Sequence, residues 1–280
     1  MPTHSPRAVD CIEREMKLSV PKPLHGWREF AGEVGIIVIG VLIALGAQQV
    51  AEDWQWRERT GDARVRLARE TGAMTAQLYE RLIVQRCLLG RLSSLADQLE
   101  SSGTDWKASP EQFMASDRFF ANAMPVAYRP PRRDLVDSIW VNTQSDGTLA
   151  HLPRDEAEWL AAVYANARNI QLLFDQEQQM AATLGPLSRD LILAPGDRTR
   201  MLQAIYGLDR LNSSVLFAAR NLINDTAKLD LPFDRAAIRK SREAFLDQQR
   251  SYRGPCVEAV PLDAGFNGPA LGGERPALVR

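Results

Sequence analysis

The sequence predicts an all-α protein: one N-terminal transmembrane helix continuing into a long stalk helix, an antiparallel helical bundle and a disordered C-terminal tail. Three observations lead there. Residues Val34–Ala47 (VGIIVIGVLIALGA) carry no charged or strongly polar side chain. Downstream, apolar residues recur at spacings of three, four and seven, and no strand-type alternation persists anywhere. The expected organisation is an N-terminal segment over 1–27, a membrane helix over 28–50, a stalk and bundle over 51–252, and a Pro/Gly-rich tail over 253–280.

Composition sets the outer bounds. A chain of 280 residues suits one or two domains, and 45% hydrophobic with 25% charged residues excludes wholesale disorder. A net charge of -1 gives no general electrostatic reason to bind nucleic acid. Three cysteines without a close pair exclude both a zinc ribbon and a disulfide-dense miniprotein.

The flanks of the apolar run decide its reading. Trp27 stands before it and Trp54 and Trp56 after it, in the positions of interfacial aromatic belts. As an α-helix, Trp27 to Trp54 spans about 40 Å, the bilayer thickness with headgroups included. A cleaved signal peptide is an open alternative, since Ala44-Leu45-Gly46 offers small residues at the cleavage spacing. A buried helix of a soluble domain is another. Basic residues on the two flanks nearly balance, and Arg28, closest to the run, tips the orientation towards a cytoplasmic N-terminus. Gly40, Ala44, Ala47 and Ala51 make one narrow face of small residues, and Glu33 falls on the same face. Such a face suits close packing against a partner helix or a second copy. The alternative is that small residues are simply common there and Glu33 reaches the headgroups.

The segment also resembles a known pattern. Gly32-Glu33-Val34, followed by Val38-Ile39-Gly40-Val41-Leu42-Ile43-Ala44-Leu45, is similar to the N-terminal signature of a family of uncharacterised bacterial single-pass membrane proteins. Gln48 and Gln49 stand where that family has two Asn, Val50 replaces its Trp, and Trp54 comes four residues later. The resemblance covers about thirty residues and implies a bacterial bitopic protein; with the orientation above, the expected location is the bacterial inner membrane with the C-terminal domain periplasmic. It supplies no catalytic residues, because the family has no assigned activity.

Elements follow in order. No proline occurs between Pro23 and Pro110, and Glu52–Glu100 has helix-favouring composition. Two seven-residue series run through it: Leu67, Met74, Arg81, Leu88, Leu95 and Thr71, Leu78, Gln85, Leu92, Leu99. Arg81 and Gln85 interrupt a seam that fits either an intramolecular bundle or a homo-oligomeric coiled coil. After a loop, Ser109-Pro110 reads as a helix start, and Met124–Arg133 (MPVAYRPPRR) as a break. A short helix is expected over Asp134–Gln144. A long one follows over Pro153–Leu184, with Trp159, Val163, Ile170, Leu173, Phe174, Ala181 and Leu184 on a face that Asn166 and Glu177 interrupt. The next runs from Asp197, as N-cap, through Met201, Ile205, Leu208, Val215 and Leu222 to Lys228. Asp234 caps the last, whose stripe is Ile238, Phe245 and Leu246.

Chemistry finds little purchase. His151 is the one histidine of the large domain, and no GxGxxG, P-loop, HExxH or GxSxG motif is present. The carboxylates Glu156 and Glu158, or Asp225 and Asp230, read as solvated helix ends, and Arg129, Arg132 and Arg133 as a solvated loop. Cys87 and Cys256 are a candidate disulfide if the domain is exported; otherwise both are free thiols. No cofactor or metal is expected. The resulting expectation is a non-enzymatic, membrane-anchored interaction or scaffold protein, an accessory subunit of a bacterial envelope complex. Its partners would be the lipid bilayer and a membrane protein or a second copy, joined through the transmembrane and stalk helices. The alternative is an extracytoplasmic small-ligand sensor that signals through a partner.

Overall fold

The computed structural model describes residues 26–108 and 127–261, so the helix start at Ser109 and most of the tail lie outside the described residues. These residues are all-α apart from one two-residue strand pair. The helices are α1 (Trp27–Ile83), α2 (Gln85–Ser101), α3 (Ser138–Ser145), α4 (Arg154–Ala182), α5 (Pro195–Ala227) and α6 (Arg235–Arg253). Strands β1 (Asp105–Trp106) and β2 (Leu191–Ile192) pair antiparallel, Trp106 opposite Leu191. A ladder this short leaves no alternation for a sequence to display. The chain divides into two compact units, one ending at Gln55 and one beginning at Trp56.

The second unit is a bundle in which α5 is the antiparallel member. Contacts between α1 and α4 advance together, from Arg64–Glu156 to Arg81–Glu177, so these helices are parallel. Those between α2 and α5 run in opposition, with Arg198 bonding the carbonyls of Leu99, Ser102 and Gly103 and Tyr206 bonding Glu100. A parallel α1–α4 pair requires the chain to return the length of the bundle after α2. Residues 127–137 supply part of that return, extended beside α4: Arg132 contacts Asp175 and Gln178, the Leu135 N–H donates to Gln171, and Arg168 faces Asp137.

The two seven-residue series form an intramolecular seam. All their positions are buried except half-buried Gln85. The predicted single helix has one break, at Val84, which no glycine or proline marks. There the Ile83 carbonyl accepts from the N–H of Glu258 (3.2 Å) instead of from its own helix. The break is therefore made by a tertiary contact.

Other boundaries moved for similar reasons. The helix expected from Asp134 starts at Ser138, because the Glu70 carboxylate on α1 accepts from the N–H groups of Ile139 (2.9 Å) and Trp140 (3.3 Å). Helix α5 starts before Asp197, with Pro195 in the first turn and Ala194 as N-cap; Asp197 pairs with Arg200 instead. Asp234 caps α6, accepting from the Ala237 N–H at 2.9 Å. The last helix ends at Arg253, but the next residues do not leave the surface. Gly254 (φ 75°) turns the chain into a 3-10 turn through Cys256, and Val257 is buried.

Two glycines mark close approaches. A Cβ at Gly207 would meet Met180 Sδ at 2.3 Å, and one at Gly72 would meet Ile238 Cδ1 at 2.9 Å. Gly72→Ala should therefore destabilise the bundle by about 1 kcal/mol through overpacking. Combining it with Ile238→Val, which removes the facing methyl, should cost less than the sum of the two single variants in denaturation of the full chain.

Candidate functional site: an exposed apolar helix, a buried charged layer and a surface cleft

In the first unit α1 is unbroken, so Glu33, Gly40, Ala44, Ala47 and Ala51 share one face, and all five are exposed. The most apolar 18-residue window has a mean hydropathy of 2.3, with none of it buried inside the protein. This is one helix long and apolar enough to cross a membrane. At its C-terminal end the amides of Gln48 and Gln49 donate to Glu52 (2.8 Å) and Asp53 (3.1 Å), each one turn on. Trp27 and Trp54 are exposed. Trp56 differs from them: it is half-buried, and its ring stacks on His151 with centroids 3.8 Å apart.

The second unit holds two apolar clusters. One gathers Leu67–Leu82 of α1 with Leu160–Phe174 of α4 and Val215–Ile223 of α5. The other gathers Leu88–Leu99 of α2 with Leu184, Leu187 and Met201–Leu208. Between them lies a polar layer. Arg81, 1% exposed, donates through Nη2 to Glu177 Oε1 (2.5 Å) and to Asn212 Oδ1. The Tyr128 hydroxyl donates to Glu177 (3.1 Å) and accepts from Asn212 Nδ2 (2.7 Å). Burial is the largest influence on both acids: it pushes the Glu177 carboxyl up, against Arg81 and Tyr128, and raises the Tyr128 phenol so that it stays protonated. Among the described residues Nε and Nη1 of Arg81 meet no hydrogen-bond partner, and both of its bonds run through Nη2.

Neighbouring Glu80, also 1% exposed, is bonded by Arg133 Nε (2.8 Å) and Gln249 (2.8 Å). Arg253 donates to Gln249 and to the Arg129 carbonyl, and burial lowers its pKa. The arginines read as a solvated loop are all exposed, yet Arg132 and Arg133 also reach partners on helices distant in sequence, Asp175 and Gln178 of α4 and Glu80 of α1. Glu156, read as a solvated helix end, is buried and paired with Arg64 at 2.9 Å. Asp225 pairs with Lys228 at 2.9 Å. Glu70 is a fourth buried acid, accepting from the Tyr164 hydroxyl at 2.6 Å.

Cys87 and Cys256 form a disulfide with Cα atoms 5.1 Å apart, across a sequence separation of 169. It fixes the turn after α6 beside the Val84 break, next to the Glu258–Ile83 hydrogen bond and the Arg86–Glu258 ion pair. A separate cleft of about 290 Å³ opens between α1 and α6. Val65, Ala68, Gly72 and Ala76 line one wall and Ala237 and Ile238 the other, with Arg69 and Asp234 at its polar positions.

Among the described residues no group of three or more His, Cys, Asp or Glu side chains is placed to hold a metal ion. No family model matches the chain, and no curated protein or solved structure matches it.

The sequence singled out Arg81 and Glu177 as breaks in apolar stripes, and the structure brings those two breaks together. It did not single out Asn212, Tyr128, Glu70 or Glu80. Asn212 left a signal: it sits four residues after Leu208 in the gap before Val215.

Arg81→Ala should cost about 3–5 kcal/mol, because it leaves Glu177 charged and unpaired in the core. The double variant Arg81→Met with Glu177→Leu should lose less than Arg81→Ala, as read by denaturant midpoints of the full chain in micelles. A second test concerns pH. Burial raises the Glu156 carboxyl above its ordinary 4.5, against the pull of Arg64. Its contribution to stability is then full below 4.5 and is lost as pH rises through the folded value. Glu156→Gln should remove that part of the slope in a thermal-midpoint series from about pH 4 to pH 8.

Proposed function

We propose that this chain is a non-enzymatic, single-pass membrane-anchored interaction protein that serves as an accessory subunit of a bacterial envelope complex. The observation that carries the reading is the apolar stretch of α1, which is fully exposed although burying it would be strongly favourable in water. A bilayer is the environment that such a helix fits. The face of Glu33, Gly40, Ala44, Ala47 and Ala51 supports packing against a partner helix within it. The bacterial setting rests on the resemblance of the segment around Gly40.

The reading places the N-terminus in the cytoplasm and the helical domain outside it. The Cys87–Cys256 disulfide supports that orientation, because such bonds persist in oxidising compartments. The polar layer supports a scaffolding role over catalysis: its Glu177 and Arg81 neutralise one another and are closed to solvent. The second reading, an extracytoplasmic sensor, is favoured by the cleft between α1 and α6.

Membranes of the native host should retain the chain through alkaline carbonate washing; release into the supernatant would overturn the anchoring. Mild-detergent extraction should give a stoichiometric complex, and a monomer without companions would overturn the subunit reading. Under denaturing, non-reducing conditions a maleimide should label Cys11 alone among the three cysteines. Labelling of all three would remove the support for an exported domain.

A further inference from the structure

The α1–α6 cleft has the features of a ligand site rather than of a packing defect. Its walls are small: Gly72, Ala73, Ala76 and Ala237 keep it open where larger side chains would close it. Its floor is apolar and fixed, because Ile238 is buried and lies within contact of Gly72. A volume of about 290 Å³ is at the lower end of the ~300–1,000 Å³ of small-molecule pockets, which are also mostly apolar with few polar groups.

Charge narrows the ligand class. Two ionised side chains line the cleft, and they differ in what they already do. Asp234 is engaged as the N-cap of α6, where its carboxylate accepts the Ala237 N–H and faces the positive end of the helix dipole. Arg69 is exposed and makes no hydrogen bond, ion pair or ring contact among the described residues, unlike Arg64 and Arg81 on the same helix. Arg239 and Lys240 follow on the second turn of α6, so the surroundings add positive charge. The uncompensated charge at an apolar cleft is therefore a guanidinium, whose planar fork matches a carboxylate.

We propose that this cleft binds a small carboxylate-headed amphiphile, in class a medium-chain fatty acid, with its head on Arg69 and its chain against Val65, Ala68, Gly72, Ala76 and Ile238. The site is independent of membrane anchoring, and it gives the sensor reading a ligand. The head group stays at the rim, where Arg69 is wet, and the chain occupies the apolar floor. Ala73, exposed on the same wall, sets the width of the entrance.

The test uses the full chain in lipid nanodiscs and a decanoate carrying a photoreactive diazirine at its terminal carbon. Adducts are mapped by peptide mass spectrometry. Labelling is expected on 65–76 and 232–241, and also on the apolar helix over 34–47, because the probe partitions into lipid; the helix label is the internal standard. Arg69→Gln should lower the cleft label about tenfold relative to that standard, the loss expected for one charge-assisted pair. Ala73→Trp, which fills the cleft from an exposed position, should abolish it. The methyl ester of the probe should label the lipid-exposed helix alone. Cleft labelling that is unchanged in Arg69→Gln, or equal with the ester, would overturn the carboxylate assignment. Label confined to 34–47 in the unaltered chain would overturn the site while leaving the anchoring intact. Loss of the label on 34–47 with cleft labelling retained would instead count against the membrane helix, and failure of both labels would overturn both, so the two readings fail separately.

Discussion

The arrangement of the bundle depends on one buried ion pair. Arg81 comes from α1, Glu177 from α4 and their common partner Asn212 from α5, so a single layer ties three helices at one height. Apolar contacts are non-directional and tolerate a helix sliding by a turn. A guanidinium held by a carboxylate and an amide does not tolerate it, because a slide would bury an unpaired charge. The two apolar clusters above and below supply most of the burial, and the polar layer fixes their register. That division of labour explains why α1 and α4 can be parallel despite the long return of chain between them.

The junction between α1 and α2 is held from outside. The seam of leucines passes straight through Val84, yet the Ile83 carbonyl turns to the N–H of Glu258. The Cys87–Cys256 bond, the buried Val257 and the ion pair of Arg86 with Glu258 keep the segment after α6 in place there. Closing a loop of this length removes conformational freedom from the unfolded chain, an effect on the order of a few kcal/mol. Just before that turn, α6 also supplies Gln249 to buried Glu80 and Arg253 to the return segment. The end of the last helix thus acts as a cover over the charged layer.

The membrane-type helix and the bundle obey opposite rules. In the first unit the apolar side chains are outward, as on Ile36 and Leu42, and no charge interrupts 34–47. In the second unit outward residues are mostly polar, and the charges that do turn inward meet an opposite charge, as Arg81 and Glu177 do, neutral hydrogen-bond donors, as Glu70 does, or a ring, as Arg242 does over Tyr79. Trp56 stands at the start of the second pattern: unlike Trp54, it has found a ring partner in His151. The cleft along α1 and α6 departs from this pattern, with small apolar walls open to solvent and Arg69 left without a partner among the described residues.

Local chemistry was sufficient for much of this. The apolar run, the absence of proline from 24 to 109, the seven-residue series and the cap at Asp234 are properties of neighbouring residues; such local signals placed α4, α5 and α6 to within a few positions and the span of α1 and α2 as one continuous helix. The breaks at Arg81 and Glu177 were equally visible as breaks, but not as a pair. What the tertiary structure decided was every feature that joins residues far apart in the chain. Glu70 moved the start of α3, Glu258 interrupted a helix of favourable composition, and the arginines of 129–133 found partners on α1, α4 and α6. A helix stripe states that one face will be buried, because periodicity is local; it does not state against what. The partner of a buried charge is chosen by the packing of whole helices, and that information exists only once they meet.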